Sequence, residues 1–257
     1  MRWTDGLSKV RLALPSILLF GAAGIAQQAP PPPPDTTTVV QSPAASMPAV
    51  PAAPRAEVTP RFLVVLDAAH GGSDIGARFS DGELEKEITL SLSVRLRSTL
   101  SAHGIGVVTT READGQLAGT ARAEIANGAS AAACILIHAT ATGSGVHLYT
   151  SSLAPTSLTK FMPWQTAQSA YVTQSLKLSS EIDSALAHAE IPVTLGRTSL
   201  QPMDSFACPA VAVEVAPLQE GSTTKGKAIS DVGYQKSVID ALTAAMDQWR
   251  NDWRQQP

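Results

Sequence analysis

Apolar and polar positions along most of the chain follow a pattern that predicts strands separated by helices. A continuous apolar run at residues 62–66 is typical of a strand covered on both faces. After a glycine-rich turn, leucine or isoleucine recurs every four residues over residues 84–100, which predicts an amphipathic helix with Ser80 and Glu83 as its capping pair. The alternation continues as strand, helix and strand at residues 105–109, 120–129 and 133–137.

The second half of the folded region continues the same alternation. We expect a strand at residues 145–149, a long helix at 165–189, a buried strand at 210–215 and a closing helix at 232–253. This order predicts a three-layer α/β fold with a mixed, mostly parallel sheet flanked by helices. Right-handed crossovers would bring successive strand ends to one carboxyl edge, which is where such folds bind ligands.

The first quarter of the chain has a different composition. Residues 1–26 combine basic residues with an apolar stretch shorter than the roughly 20 residues that span a bilayer, which predicts a cleaved export signal. An uncleaved membrane anchor is the alternative. Residues 27–60 are rich in proline and alanine, which predicts a disordered linker. Residues 61–257 are therefore expected to form one domain that acts outside the cytoplasm, in the periplasm or cell envelope.

The charge of the chain argues against nucleic-acid binding, and its cysteine spacing argues against a cysteine metal site. The 19 basic and 22 acidic residues nearly balance, so no strong field attracts nucleic acid, and no nucleic-acid partner is expected. Cys134 and Cys208 match no metal-binding spacing. Each comes just before a strand predicted to end at the same sheet edge, so we hypothesise that they form a disulfide in an oxidising compartment.

Three polar residues follow or end the buried strands. His70 follows the first strand, His138 follows the third, and Glu214 lies near the end of the last. A buried histidine or carboxylate is costly unless it is paired or functional. Because the ends of parallel strands share one edge, we expect these three side chains to converge there.

A further acid is expected to reach this edge from the start of the first helix. Glu85 lies in the first helical turn, but Glu83 and Glu87 are neighbours, and spacing alone does not choose among them. His147 on the fourth strand is another possible ligand. Two imidazoles and one carboxylate are the usual ligands of a catalytic zinc ion. Glu214 would then be free to act as general base and acid on the activated water.

The segments that carry these residues resemble the zinc-dependent N-acetylmuramoyl-L-alanine amidases of bacteria, the amidase type 3 family. Residues 64–77 look like the first ligand motif of that family, and residues 84–90 look like the second, which favours Glu85 among the acids. The remaining similar segments follow in the family's order at residues 109–114, 122–127, 137–141 and 209–214.

The resemblance implies a specific reaction. It implies that His70, Glu85 and His138 bind Zn²⁺ and that Glu214 is catalytic. The substrate would be peptidoglycan, cleaved at the amide between N-acetylmuramic acid and the L-alanine of the stem peptide by a chain expected to be monomeric.

Positions beside the proposed ligands depart from the family pattern, namely Ala69, Leu136 and Thr140. Such positions affect the surroundings of a metal and the substrate groove. Two alternatives therefore stand beside the amidase: a zinc peptidase acting on another cell-wall amide, and a non-catalytic relative that binds peptidoglycan.

Overall fold

The computed structural model describes residues 62–158, 162–220 and 225–254. The predicted export signal at residues 1–26 and the predicted linker at 27–60 lie outside the described residues, and both stay predictions. Within these three described ranges, no helix is long and apolar enough to cross a bilayer.

Strands and helices alternate along the described chain, interrupted by two short 3₁₀ segments at Trp164–Ala170 and Met203–Ser205. The strands are β1 (Leu63–Ala68), β2 (Gly106–Thr109), β3 (Ala133–Ala139), β4 (Val146–Ser151), β5 (Val193–Thr198) and β6 (Ala210–Val215). The α-helices are α1 (Glu85–Ala102), α2 (Gly119–Gly128), α3 (Val172–His188) and α4 (Val232–Arg254).

The strands form one mixed sheet in the order β2-β1-β3-β6-β4-β5. Every neighbouring pair is parallel except β4 and β6, which are antiparallel. Because β6 lies between β3 and β4, the connection at residues 140–145 has to cross the end of β6. The predicted α/β class with a mixed, mostly parallel sheet is confirmed.

Apolar side chains cover both faces of the sheet. On β3, Ile135 and Ile137 join the core formed with α1, α3 and α4, whereas Cys134 and Leu136 join the core formed with α2 and the segment at Met203–Ser205. A strand buried on both faces has apolar side chains at successive positions, rather than apolar and polar side chains in alternation. This explains why the central strands appear in the sequence as continuous apolar runs.

The predicted capping pair Ser80 and Glu83 is wrong. Helix α1 begins at Glu85, and Glu87 Oε2 accepts a hydrogen bond of 3.2 Å from the backbone N–H of Leu84. Before the helix starts, residues 78–84 form a turn in which Arg78 and Leu84 pair as an antiparallel bridge. The carbonyl of Glu83 accepts a hydrogen bond from the Phe79 N–H within that turn. The capping acid is therefore the one that follows the turn.

The predicted long helix at residues 165–189 is broken into two parts. A 3₁₀ segment at Trp164–Ala170 precedes α3, which begins at Val172. The buried Gln168 side chain fixes the first part, because its Nε2 donates hydrogen bonds of 2.9 and 3.0 Å to the carbonyls of Phe206 and Cys208. These tertiary hydrogen bonds hold the segment against the loop before β6.

Cys134 and Cys208 form a disulfide with a Cα–Cα distance of 6.1 Å. It joins the start of β3 to the segment that leads into β6, and both residues are buried. The hypothesised pairing is therefore present in the structure.

Candidate metal centre

Three side chains predicted as metal ligands lie together at the carboxyl edge of the sheet. His70 follows β1, Glu85 opens α1 and His138 lies near the end of β3. The carboxylate of Glu85 lies 3.0 Å from His70 Nε2 and 3.1 Å from His138 Nδ1. One donor atom from each residue lies within 4.8 Å of the others. Separate segments of the chain thus supply two imidazoles and one carboxylate to one small volume.

The backbone that carries His70 is held by two buried arginines. His70 has φ of 62°, a conformation uncommon for residues other than glycine. Arg122 donates to the carbonyls of Ala68 and His70, and Arg111 donates to the carbonyl in between, over distances of 2.6 to 2.9 Å. These hydrogen bonds fix the turn that points His70 at the site.

Asp74 orients the ring of His70 through a hydrogen bond with Nδ1. His70 Nδ1 lies 2.9 Å from Asp74 Oδ1, which leaves Nε2 facing Glu85. Gly76 makes room for this arrangement, since a Cβ at that position would come within 2.7 Å of both the Glu85 and the His70 side chains. With φ of 64°, Gly76 also has a backbone conformation that disfavours other residues.

The carboxylate of Glu85 is stabilised in its ionised form. Burial alone would raise its pKa, but hydrogen bonds from His138 and His70, and then from the backbone N–H groups of Ala77 and Ala139, hold the pKa well below its ordinary value. The hydrogen bond to Glu85, opposed by burial and reinforced by Asp74, raises the pKa of His70. An ionised carboxylate is the form that binds a metal.

Glu214, predicted as the catalytic acid and base, lies beside this cluster rather than in it. It is the register partner of His138 across β3 and β6 and of His147 across β4 and β6. Its Oε2 lies 2.8 Å from His147 Nδ1. His147, considered from the sequence as a substitute ligand, therefore pairs with Glu214 instead of joining the three clustered residues.

A cleft of about 170 Å³ opens over the cluster. His70 and His138 lie on its wall with side chains 22% and 20% exposed, whereas Glu85 is 8% exposed. Gly119 at the start of α2 and the turn at Gln201 and Pro202 also line it. Water and a small part of a larger substrate can thus reach the imidazoles.

A mostly parallel α/β sheet with a His-Glu-His set at its carboxyl edge defines the chain as an α/β protein with a candidate metallohydrolase site. The family model for N-acetylmuramoyl-L-alanine amidase, amidase type 3, matches residues 64–248. The chain belongs to this family.

Curated relatives match part of the chain. The N-acetylmuramoyl-L-alanine amidase AmiA of Escherichia coli (strain K12) is 34% identical over 106 residues, which cover 39% of this chain and 37% of that protein. The amidase AmiC of Neisseria meningitidis serogroup B is 31% identical over 134 residues, covering 49% of this chain and 32% of that protein. The matched region therefore spans about a third of each of these relatives.

Solved structures share the fold. The amidase Ami1 from Mycobacterium abscessus superposes with a TM-score of 0.59 at 18% identity, covering 74% of this chain and 98% of that chain. The amidase AmiC2 of Nostoc punctiforme gives a TM-score of 0.55 at 22% identity, covering 74% of this chain and 97% of that chain. At these identities the similarity establishes the architecture.

Proposed function

We propose that this chain is an exported, zinc-dependent hydrolase that cleaves the amide between N-acetylmuramic acid and the L-alanine of the peptidoglycan stem peptide. The observation that carries the proposal is the gathering of His70, Glu85 and His138 within 4.8 Å in a member of the amidase family. The relatives in that family are named for this activity.

The three side chains suit zinc in kind and in spacing. Ligands at about 2.0–2.1 Å from a tetrahedral zinc lie about 3.3 Å from one another. Glu85 Oε2 is 3.0 Å from His70 Nε2 and Glu85 Oε1 is 3.1 Å from His138 Nδ1, close to that separation, and one donor atom from each of the three residues lies within 4.8 Å of the others. A bound zinc ion would polarise the scissile carbonyl and lower the pKa of its bound water to about 7. His70, Glu85 and His138 would hold it.

Glu214 is proposed to move the proton. Its side chain is 28% exposed and hydrogen-bonded to none of the three proposed ligands, and its register partner His138 lines the cleft. It would accept a proton from the attacking water and donate it to the leaving amine of L-alanine. Because Glu214 is the register partner of His138 on the neighbouring strand, its carboxylate would lie beside a metal held by His138.

The proposed setting follows from the sequence. The export signal at residues 1–26 and the linker at 27–60 would deliver residues 61–257 to the periplasm or cell envelope, where peptidoglycan is found. The nearly balanced charge favours no nucleic-acid partner. The chain is proposed to act as a monomer.

Digestion of purified peptidoglycan tests the proposal. The zinc-loaded chain is expected to release free stem peptides that begin with L-alanine, identified by mass spectrometry, and a chelator should abolish the release. Shortened peptides still attached to glycan would show a peptidase acting on another amide instead.

A matched variant tests the role of Glu214. Glu214→Gln keeps the size of the side chain and removes its base, so the rate should fall about 10²- to 10⁴-fold while bound zinc stays at one ion per chain. If the wild type digests peptidoglycan no faster than this variant, the chain is a binding protein rather than an enzyme.

A further inference from the structure

We propose that His147 is a positioning residue for Glu214: its Nδ1–H fixes one carboxylate oxygen so that the other faces the reacting water. This inference rests on the proposed function, in which Glu214 is the general base. The two side chains meet directly, with His147 Nδ1 2.8 Å from Glu214 Oε2.

The reversed strand in the sheet creates this contact. Strand β4 is antiparallel to β6, and His147 is the register partner of Glu214. Val146 and Leu148 on either side of His147 are buried in the core on one face, so His147 projects from the other face together with Glu214. The His147 side chain is 12% exposed and that of Glu214 is 28% exposed, so the imidazole is more shielded from water than the carboxylate it contacts.

The sheet order also separates His147 from the proposed ligands. Side by side on one face lie His138 on β3, Glu214 on β6 and His147 on β4. Glu214 therefore stands between His147 and the nearest proposed ligand. His147 is placed to act on the carboxylate and not on the metal.

The imidazole has little freedom to turn away. Gly143 lies against its Cε1–Nε2 edge, and a Cβ at Gly143 would overlap these two atoms. The centroids of the Tyr149 and His147 rings are 6.5 Å apart, and the rings meet edge to face. The loop that carries Gly143 is itself held, because the carbonyl of Gly143 accepts a 3.0 Å hydrogen bond from Gln219.

The contact between His147 and Glu214 indicates which imidazole nitrogen of His147 carries the proton. A general base has to be ionised, and an ionised carboxylate has only acceptors, so the proposed role of Glu214 assigns the donor of this hydrogen bond to His147 Nδ1. Among the residues that the structure describes, no other group donates to Glu214. A flexible carboxylate with one oxygen bound loses rotamer freedom before the reaction, and the second oxygen is left for water.

Three substitutions separate positioning from packing. His147→Asn keeps an N–H donor close to the position of Nδ1, His147→Gln moves the donor toward the position of Nε2, and His147→Leu removes it. With a soluble muramoyl-peptide and zinc-loaded full chain, we expect kcat to fall about 10- to 100-fold in the Gln and Leu variants and less than about threefold in the Asn variant. KM, zinc content and melting temperature should stay at wild-type values in all three.

Two results would overturn the assignment. One is a Leu variant that retains the wild-type kcat; the other is an Asn variant that loses as much as the Leu variant. A loss of kcat that follows the zinc content or the melting temperature would also refute it, because the residue would then be structural.

A spectroscopic measurement keeps this inference distinct from the proposed function. In ¹⁵N–¹H spectra of the full chain, His147 should carry its proton on Nδ1, and Glu214→Ala should abolish that preference. If the wild type releases no stem peptides, the proposed function fails while this measurement still decides the pairing. An imidazole protonated on Nε2 alone would overturn it.

Discussion

Removing Arg122 should destabilise the fold and the turn of His70 together. The Arg122 guanidinium lies 2.7 Å from Asp67, and the two side chains are only 6% and 1% exposed. The substitution Arg122→Met keeps an unbranched side chain but leaves the Asp67 carboxylate buried with the Thr110 hydroxyl as its remaining side-chain donor. The carbonyl of His70 loses its hydrogen bond from Arg122 as well.

The expected loss is large relative to the stability of a domain. Breaking a buried ion pair by removing one partner costs about 3–5 kcal/mol, because an uncompensated charge stays buried. Folded domains are stable by about 5–15 kcal/mol, so the variant should unfold at a much lower urea concentration. The double variant Asp67→Asn with Arg122→Met removes both charges and should recover part of the loss.

Urea unfolding of the metal-free single and double variants at pH 7 measures these values. We expect the double variant to be more stable than the sum of the single effects implies, by at least about 1 kcal/mol. Zinc affinity, measured by competition with a chelator, should fall in the Arg122 variant because the turn before the metal site loosens. Additive effects within about 0.5 kcal/mol would refute the reasoning.

Further predictions concern the disulfide, the acid of the cluster and the metal. Replacing both Cys134 and Cys208, which are separated by 74 residues in the sequence, with alanine should lower the free energy of unfolding by about 4 kcal/mol through lost loop constraint; an unchanged urea midpoint would contradict this. Because the folded pKa of Glu85 is lowered, its contribution to stability is present above its unfolded pKa of about 4.3 and is lost as the pH falls toward the folded value. Urea titrations between pH 6 and 3 should therefore show a flatter pH dependence for metal-free Glu85→Gln than for metal-free wild type, and equal slopes would count against the hydrogen-bonded carboxylate. Zinc at about 100 times its dissociation constant should stabilise the wild type by about 2.7 kcal/mol and raise the melting temperature by about 5–10 °C. A His138→Ala control should show a much smaller rise, and an equal rise in the control would place the ion elsewhere.

The buried strands and two members of the His-Glu-His cluster can be predicted from the sequence for a physical reason. Strands covered on both faces need uninterrupted apolar residues, so β1, β3 and β6 are visible as apolar runs, and a polar residue at the end of such a run stands out. His70 and His138 were found in this way. The choice of Glu85 required the family resemblance, because the turn that sets the start of α1 has no periodic signal.

Strand direction and edge strands were not accessible in the same way. Strand β5 was not predicted, because Val193–Thr198 is largely exposed and includes Gly196, so it lacks a clear apolar alternation. The reversed direction of β4 also leaves no trace in the hydrophobic pattern. The pairing of His147 with Glu214 depends on that direction, so the sequence alone indicates His147 only as a possible ligand.

The crossing of residues 140–145 over the end of β6 has a consequence for evolution of this site. Both ends of the crossing are tied to the chain leaving β6, by Thr140 N–H to the Val215 carbonyl at 2.9 Å and by Gly145 N–H to the Pro217 carbonyl at 3.2 Å. Extra residues inserted between these two hydrogen bonds would lengthen a loop beside the end of β6, next to His147 and its partner Glu214, without displacing a strand. Access of bulky polymers to the carboxylate could therefore be tuned by the length of one short span while the sheet beneath it stays the same.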